Sequence, residues 1–253
     1  MRPIVFLHGI RVSATMWDPV IDHLDRPAKA VDLPGHGTRA GEPFSMDDAV
    51  SAVSAAIDAL GGRAVVAGLS LGGYVGMATA ERFPDKVAGL VAMGCTSRSQ
   101  SMLGVYRFAA RLAARNPARA NRISEYGFRR FLPAPSAAAM VAGGLSCEVL
   151  PQVVEAVAAH DQLTALAAYP GRVWLVNGSR DPFRADERDF LRACRNGRLI
   201  LIPGRGHLGV LAAPGSLARL VDDLCSQVEP CSPVGPGGWS EPGCASGPDG
   251  FPG

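Results

Sequence analysis

Lysine is nearly absent. Of the 25 basic residues only Lys29 and Lys86 are lysines, and the other 23 are arginines. A genome bias toward Arg and Ala codons accounts for this without a functional cause. An excess of either charge sign is also missing. Asp and Glu total 23, so the formal net charge is +2. A dedicated nucleic-acid binder carries a strong basic excess, so nucleic acid is not an expected partner. No run of 18 or more apolar residues occurs, which excludes a transmembrane helix. The opening Met1-Arg2-Pro3-Ile4-Val5-Phe6-Leu7-His8-Gly9 has too short an apolar stretch for a secretory signal, and no small-residue cleavage site. A cytoplasmic protein with no membrane partner is expected. Cysteine pairing motifs are lacking too. Cys95, Cys147, Cys194, Cys225, Cys231 and Cys244 form no Cys-x-x-Cys pair, so neither a zinc site nor a redox motif is expected. In a reducing compartment they read as free thiols.

What is present is apolar material. Hydrophobic residues make up 47% of 253, enough for a sizeable core, which rules out a wholly disordered chain. The length allows one or two domains. The last 25 residues, 229–253, hold six prolines and seven glycines. Such a segment buries too little surface to offset its ordering entropy, so it is expected to be a disordered tail. The folded unit is expected to span 1–228.

Within that unit, continuous apolar runs at residues 4–8, 28–33, 64–69, 89–93, 173–177 and 199–202 predict strands covered on both faces. Helices are predicted at about 45–60, 71–82, 184–194 and 214–227. Ser45 with Asp47 and Asp48 suits a helix N-terminus. The alternation predicts an α/β fold with a doubly wound, mostly parallel sheet. The stretch from about 97 to 168 breaks it with helical patterns and no strand. It is expected to be a cap insertion over the strands' C-terminal edge, where ligands bind in such sheets.

Gly68-Leu69-Ser70-Leu71-Gly72 follows an apolar run and opens a helical pattern. A strand reversing sharply into a helix strains its apex residue, and glycines two positions either side remove colliding side chains. Ser70 is therefore the candidate nucleophile. A hydroxyl needs a base to take its proton, and the base needs an orienting acid. Of His8, His23, His36, His160 and His207, only His207 follows a late strand, in Gly204-Arg205-Gly206-His207. Asp181 ends the preceding strand region, with Asp186 in reserve. Backbone N–H groups of Leu71 and Ile10 are the candidate oxyanion donors. His8 and His36 read as loop-ordering residues, and His23 and His160 as ordinary helix or surface residues.

Together, His8-Gly9, Trp17, Asp32-Leu33-Pro34-Gly35-His36-Gly37, the turn at Ser70, Asp181 and Gly206-His207 resemble the α/β-hydrolase fold family. The resemblance runs from residue 4 to about 225. It implies an oxyanion hole, a cap over the site, and acyl chemistry with no cofactor and no metal. Many members carry two strands before the His-Gly strand, and here the chain opens directly on it. Within the family the chain is similar to small esterases, lactonases and thioesterases acting on a small acyl substrate. It is also similar to the menaquinone-pathway synthase that eliminates pyruvate with the same three residues. A triad-dependent lyase, and a non-catalytic receptor on the same fold, are the competing readings.

Residues 98–130 contain eight arginines and one acid, Glu125, for a net charge of +7, so the remainder sums to −5. Arg107, Arg111, Arg115 and Arg119 recur every four residues and Arg122 follows three later, which would place them on one helix face. A solvated basic face is one reading. The functional one is that Arg107 or Arg111 binds a substrate carboxylate or phosphate, or an acidic carrier protein. Leu103, Phe108 and Leu112 can supply an apolar face. Phe128 and Phe131, with Leu132 and Met140, are candidates for an acyl pocket, with core packing the competing role. A homodimer is a further candidate assembly.

Overall fold

The computed structural model describes residues 1–98 and 103–228. The expected tail, with Cys231 and Cys244, lies outside the described residues. Six strands form one sheet: β1 (Ile4–Leu7), β2 (Ala28–Val31), β3 (Ala64–Leu69), β4 (Val87–Met93), β5 (Arg172–Gly178) and β6 (Asn196–Ile202). Their spatial order is β2-β1-β3-β4-β5-β6, and every neighbouring pair is parallel. All six predicted strands are present; β3 keeps both predicted ends, and the ends of the others move by at most three residues.

The continuous apolar runs follow from two-sided burial. Along β1, Val5 and Leu7 enter one core while Ile4 and Phe6 enter the other. The same alternation holds for Val66 against Val65 and for Leu175 against Trp174. A strand with both faces buried has no polar positions to alternate with. Each large side chain hidden this way contributes about 1.5–3 kcal/mol.

On one face lie α2 (Met46–Ala59), α3 (Leu71–Arg82), α8 (Gln162–Ala168) and α9 (Glu187–Ala193). On the other lie the short α1 (Asp18–Ile21) and α10 (Pro214–Ser226). The start of α2 is the one the sequence predicts. Ser45 Oγ accepts the Asp48 N–H at 3.0 Å and donates to the Asp48 carboxylate at 2.6 Å. Such a cap is worth about 1 kcal/mol.

Between β4 and β5 the chain is helical, with no strand among the described residues: α4 (Leu103–Arg115), α5 (Pro117–Phe131), α6 (Ala134–Ala142) and α7 (Leu150–Ala159), then α8. Leu166 of α8 belongs to the same core cluster as Leu175, so α8 belongs to the sheet's face rather than over its edge. The single arginine-bearing helix face expected here is corrected by the structure. The chain breaks at Asn116, whose side chain accepts the Arg119 N–H at 3.1 Å and caps α5. Pro117 is the cause: it disfavours a helical residue before it and suits the first position of a new helix. Arg107, Arg111 and Arg115 sit on α4, whereas Arg119 and Arg122 sit on α5.

Candidate active site

The turn between β3 and α3 is built by steric exclusion. A Cβ on Gly68 would lie 2.2 Å from the Gly72 backbone, and one on Gly72 would lie 2.2 Å from the Leu7 carbonyl oxygen. Only glycine permits strand β3 to double back this tightly against β1. The apex is Ser70, at φ +56° and ψ −114°, one of two non-glycine residues with positive φ among the described residues. A left-handed backbone at a residue with a side chain is strained, by about 1–3 kcal/mol. The neighbours over-determine it. The Ser70 N–H donates to the Met93 carbonyl at 2.8 Å, and the Ser70 carbonyl accepts the N–H groups of Gly73 and Tyr74.

His207 and Asp181 come together from the loops after β6 and β5. His207 Nδ1 lies 2.9 Å from Asp181 Oδ2, and the other Asp181 oxygen accepts the Phe183 N–H at 2.8 Å. The acid side chain is fully hidden from solvent, whereas the imidazole is one-fifth exposed. Two loops are zipped to hold this pair: the Arg180 N–H donates to the Arg205 carbonyl, and the Gly204 N–H to Ser179 Oγ. The reserve acid Asp186 is employed elsewhere, accepting the Arg98 N–H at 2.7 Å.

Gly94, absent from the sequence reading, joins the two halves. It follows Met93 at φ +57°, and a Cβ there would sit 3.0 Å from both Asp181 Oδ2 and His207 Nδ1. Ser70 and His207 therefore border the same Met93-Gly94 step, although no hydrogen bond joins their side chains among the described residues. The signal was available, since Gly94 is the first residue after an apolar strand.

A cavity of about 700 Å³ opens above Ser70, lined by Ile10 and Leu71 from the strand ends and by α4, α5 and α7. Among the described residues no backbone acceptor takes the N–H of Ile10 or Leu71. The wall is largely apolar, with Leu150, Val154 and Val157 among its residues. Phe183 also lines it, with its ring centroid 4.5 Å from that of His207 and 6.0 Å from that of Tyr106. Of the substrate-binding candidates, none lines this cavity, which corrects that expectation. Arg107 turns outward to a two-point ion pair with Glu155 at 2.8 and 2.6 Å. Arg111 lies in a separate shallow depression with Glu155. Phe128 is buried in the core with Leu132 and Met140, and Phe131 is 79% exposed. Among the arginines it is Arg11, Arg98, Arg115 and Arg119 that reach the cavity.

The remaining motif residues build the loops below the site. His8 is fully buried, with Nδ1 2.7 Å from the Gly9 carbonyl and Nε2 accepting the Leu33 N–H at 3.0 Å. Burial, with the nearby His36, lowers its pKa to about 3, so the ring is neutral and works as a spacer between β1 and β2. Burial would raise the Asp32 carboxyl. The N–H groups of Ala14 and Thr38 and the Thr38 hydroxyl overcome it and hold Asp32 below its usual range. Trp17 is buried with its ring 4.8 Å from that of Phe6.

Residues 4–220 match the sequence profile of the alpha/beta hydrolase family. The chain belongs to that family. Among individual relatives, it is 39% identical over 93 residues to a pimeloyl-[acyl-carrier protein] methyl ester esterase of Neisseria meningitidis, covering 36% of this chain and 35% of that one. It is likewise 39% identical over 93 residues to Lipase LipV of Mycobacterium tuberculosis, covering 36% of each. The match thus spans about a third of these relatives' length. The fold is shared with the enol-lactonase from Burkholderia xenovorans at a TM-score of 0.74 and 18% identity, covering 89% of this chain and 91% of that one. As an alpha/beta hydrolase, the chain carries its nucleophile candidate on the β3–α3 turn and its acid and base candidates after β5 and β6. Among the described residues no cluster of His, Cys, Asp and Glu could hold a metal ion. Cys95, Cys147 and Cys194 form no disulfide with one another, and among the described residues no helix is long and apolar enough to cross a membrane.

Proposed function

We propose that the protein is a serine hydrolase cleaving a carboxylic ester, thioester or lactone. Ser70 is the nucleophile, His207 the base and Asp181 the acid that orients it. The observation that carries this reading is the strained Ser70 backbone, beside an imidazole tied to a buried carboxylate at 2.9 Å. Strain of this kind persists where the surrounding structure enforces it, and it aims the hydroxyl into the cavity.

His207 Nε2 takes the Ser70 proton as Oγ attacks the carbonyl carbon. Asp181 fixes Nδ1 as the protonated nitrogen and stabilises the imidazolium. The oxyanion is held by the N–H groups of Ile10 and Leu71, which meet no backbone acceptor among the described residues. His207 then passes its proton to the leaving oxygen or sulfur. Water, deprotonated by the same imidazole, releases the acid. No hydrogen bond joins the Ser70 and His207 side chains among the described residues, and catalytic hydrogen bonds are often long or poorly aligned until substrate tightens them. Helices α4–α7, within the segment 97–168, act as the cap that supplies the apolar cavity wall.

The test is turnover of a panel of activated acyl esters and thioesters by the full chain and by Ser70→Ala. Turnover by the wild type and its loss in the folded variant are expected. Equal rates in both would overturn the reading.

A further inference from the structure

Arg11 is the second non-glycine residue with a left-handed backbone, at φ +65°. It directly follows Ile10, so the two non-glycine residues with positive φ among the described residues line the same cavity. L-residues with a β-carbon disfavour this conformation, which a glycine would adopt freely. Its geometry is enforced from outside: the Arg11 carbonyl accepts the Ser146 N–H at 2.9 Å. The side chain is thereby sent across the cavity to α5, where Nη1 donates to Ser124 Oγ at 3.2 Å. Ser124 and the neighbouring Cys147 are both buried, and Arg11 itself is half-buried.

A guanidinium has five N–H donors and carries its charge at any working pH. Here one donor meets a neutral hydroxyl, and no carboxylate of the described residues pairs with it. Among the described residues no Asp or Glu lines the cavity. The other arginines that reach it differ. Arg98 approaches Asp189 at 3.5 Å, and Arg115 and Arg119 are exposed. A half-buried cation without a counter-charge, facing an apolar wall, is costly unless a ligand supplies the anion.

We propose that Arg11 is the carboxylate-binding residue of the cavity, so that the preferred substrate is an ester carrying a free carboxylate on its acyl or alcohol part. This rests on the hydrolase reading above. The remaining guanidinium edge, opposite the Ser124 contact, takes the carboxylate in a two-point arrangement.

The test compares p-nitrophenyl hexanoate with the p-nitrophenyl monoester of adipic acid, which differ only by the terminal carboxylate. A third ester, 4-(butyryloxy)benzoate, places the carboxylate on the leaving group, with 4-(butyryloxy)toluene as its neutral counterpart. The wild type is expected to favour one carboxylated ester by about tenfold or more in kcat/KM. Arg11→Met keeps the stem and should abolish that preference, lowering kcat/KM for the charged ester by about tenfold more than for its neutral counterpart. Arg11→Lys should restore part of it, and Arg122→Gln, outside the cavity, should leave it unchanged. Equal losses on charged and neutral esters in Arg11→Met, or no carboxylate preference in the wild type, would overturn the proposal. Adipate binding to Ser70→Ala, measured by calorimetry, separates the two readings. Salt-sensitive binding that disappears on adding Arg11→Met would sustain the carboxylate site even if no ester were turned over. Ester turnover with no Arg11-dependent adipate binding would sustain the hydrolase alone.

Discussion

The sheet with its loops and the helices between β4 and β5 are built to different standards. Every residue of β1, β3 and β4 is buried, and the glycines of the Ser70 turn leave no room for one added carbon. In contrast α4 buries only Ala110, and α5 only Ser124 and Phe128. Six large apolar side chains lie exposed on these two helices: Val105, Phe108, Leu112, Ile123, Tyr126 and Phe131. The difference separates two tasks. Reacting groups need positions held to a fraction of an ångström, and the close-packed sheet edge provides that. In the proposed function the cavity wall admits and releases a substrate, which a loosely packed helical layer allows.

The sharpest way to break the comparison is to strike the rigid side. Ser70→Ala should lower kcat by about 10⁴–10⁶-fold, and Asp181→Asn by roughly 10³–10⁴-fold, with little loss of stability. Steady-state kinetics on any accepted ester reads both. An Asp181→Asn variant of near-normal kcat would show that His207 needs no charged partner. Next in size, Trp17→Ala should cost about 3–5 kcal/mol in chemical denaturation, whereas Phe108→Ser on α4 should stay within about 0.5 kcal/mol. Comparable losses would mean that the helical layer is as tightly packed as the sheet.

Histidine titration sharpens the contrast further. The folded-state pKa of His8 lies near 3, below its unfolded value of 6.5. His36 is also held low, chiefly by burial. For a base whose folded pKa is depressed, the unfolded chain binds the proton first. Stability is therefore whole above about pH 6.5 and falls as the pH drops toward 3, by at most ~1.4 kcal/mol per pH unit for each group. His8→Gln should flatten that slope in a denaturant series between pH 6.5 and 4. Parallel slopes in the variant and the wild type would contradict the buried neutral ring.

The same division governs what could be read from the amino-acid order. Strands with both faces buried write themselves as unbroken apolar runs, so residues 64–69 announce β3 directly. Ser70 and His207 were legible because the type and position of a residue relative to a strand end fix its place at the sheet edge. Gly94 was equally placed but carries no functional group to draw notice. The helical layer was less legible, because an amphipathic pattern does not say which neighbour each face will meet. Arg107 was drawn outward by Glu155, a residue 48 positions later in the chain. Phe128 and Phe131 sit three apart on α5, yet one is buried and the other exposed. The broken arginine stripe was recoverable, since Pro117 interrupts it.

The central claim is that the strained serine and the distant histidine form one reactive unit. Treatment of the full chain with a fluorophosphonate, followed by peptide mass spectrometry, tests it most directly. One label per chain is expected, on Ser70, with almost none in a folded His207→Ala variant. A wild-type chain that stays unlabelled, or a label that persists undiminished without His207, would contradict it.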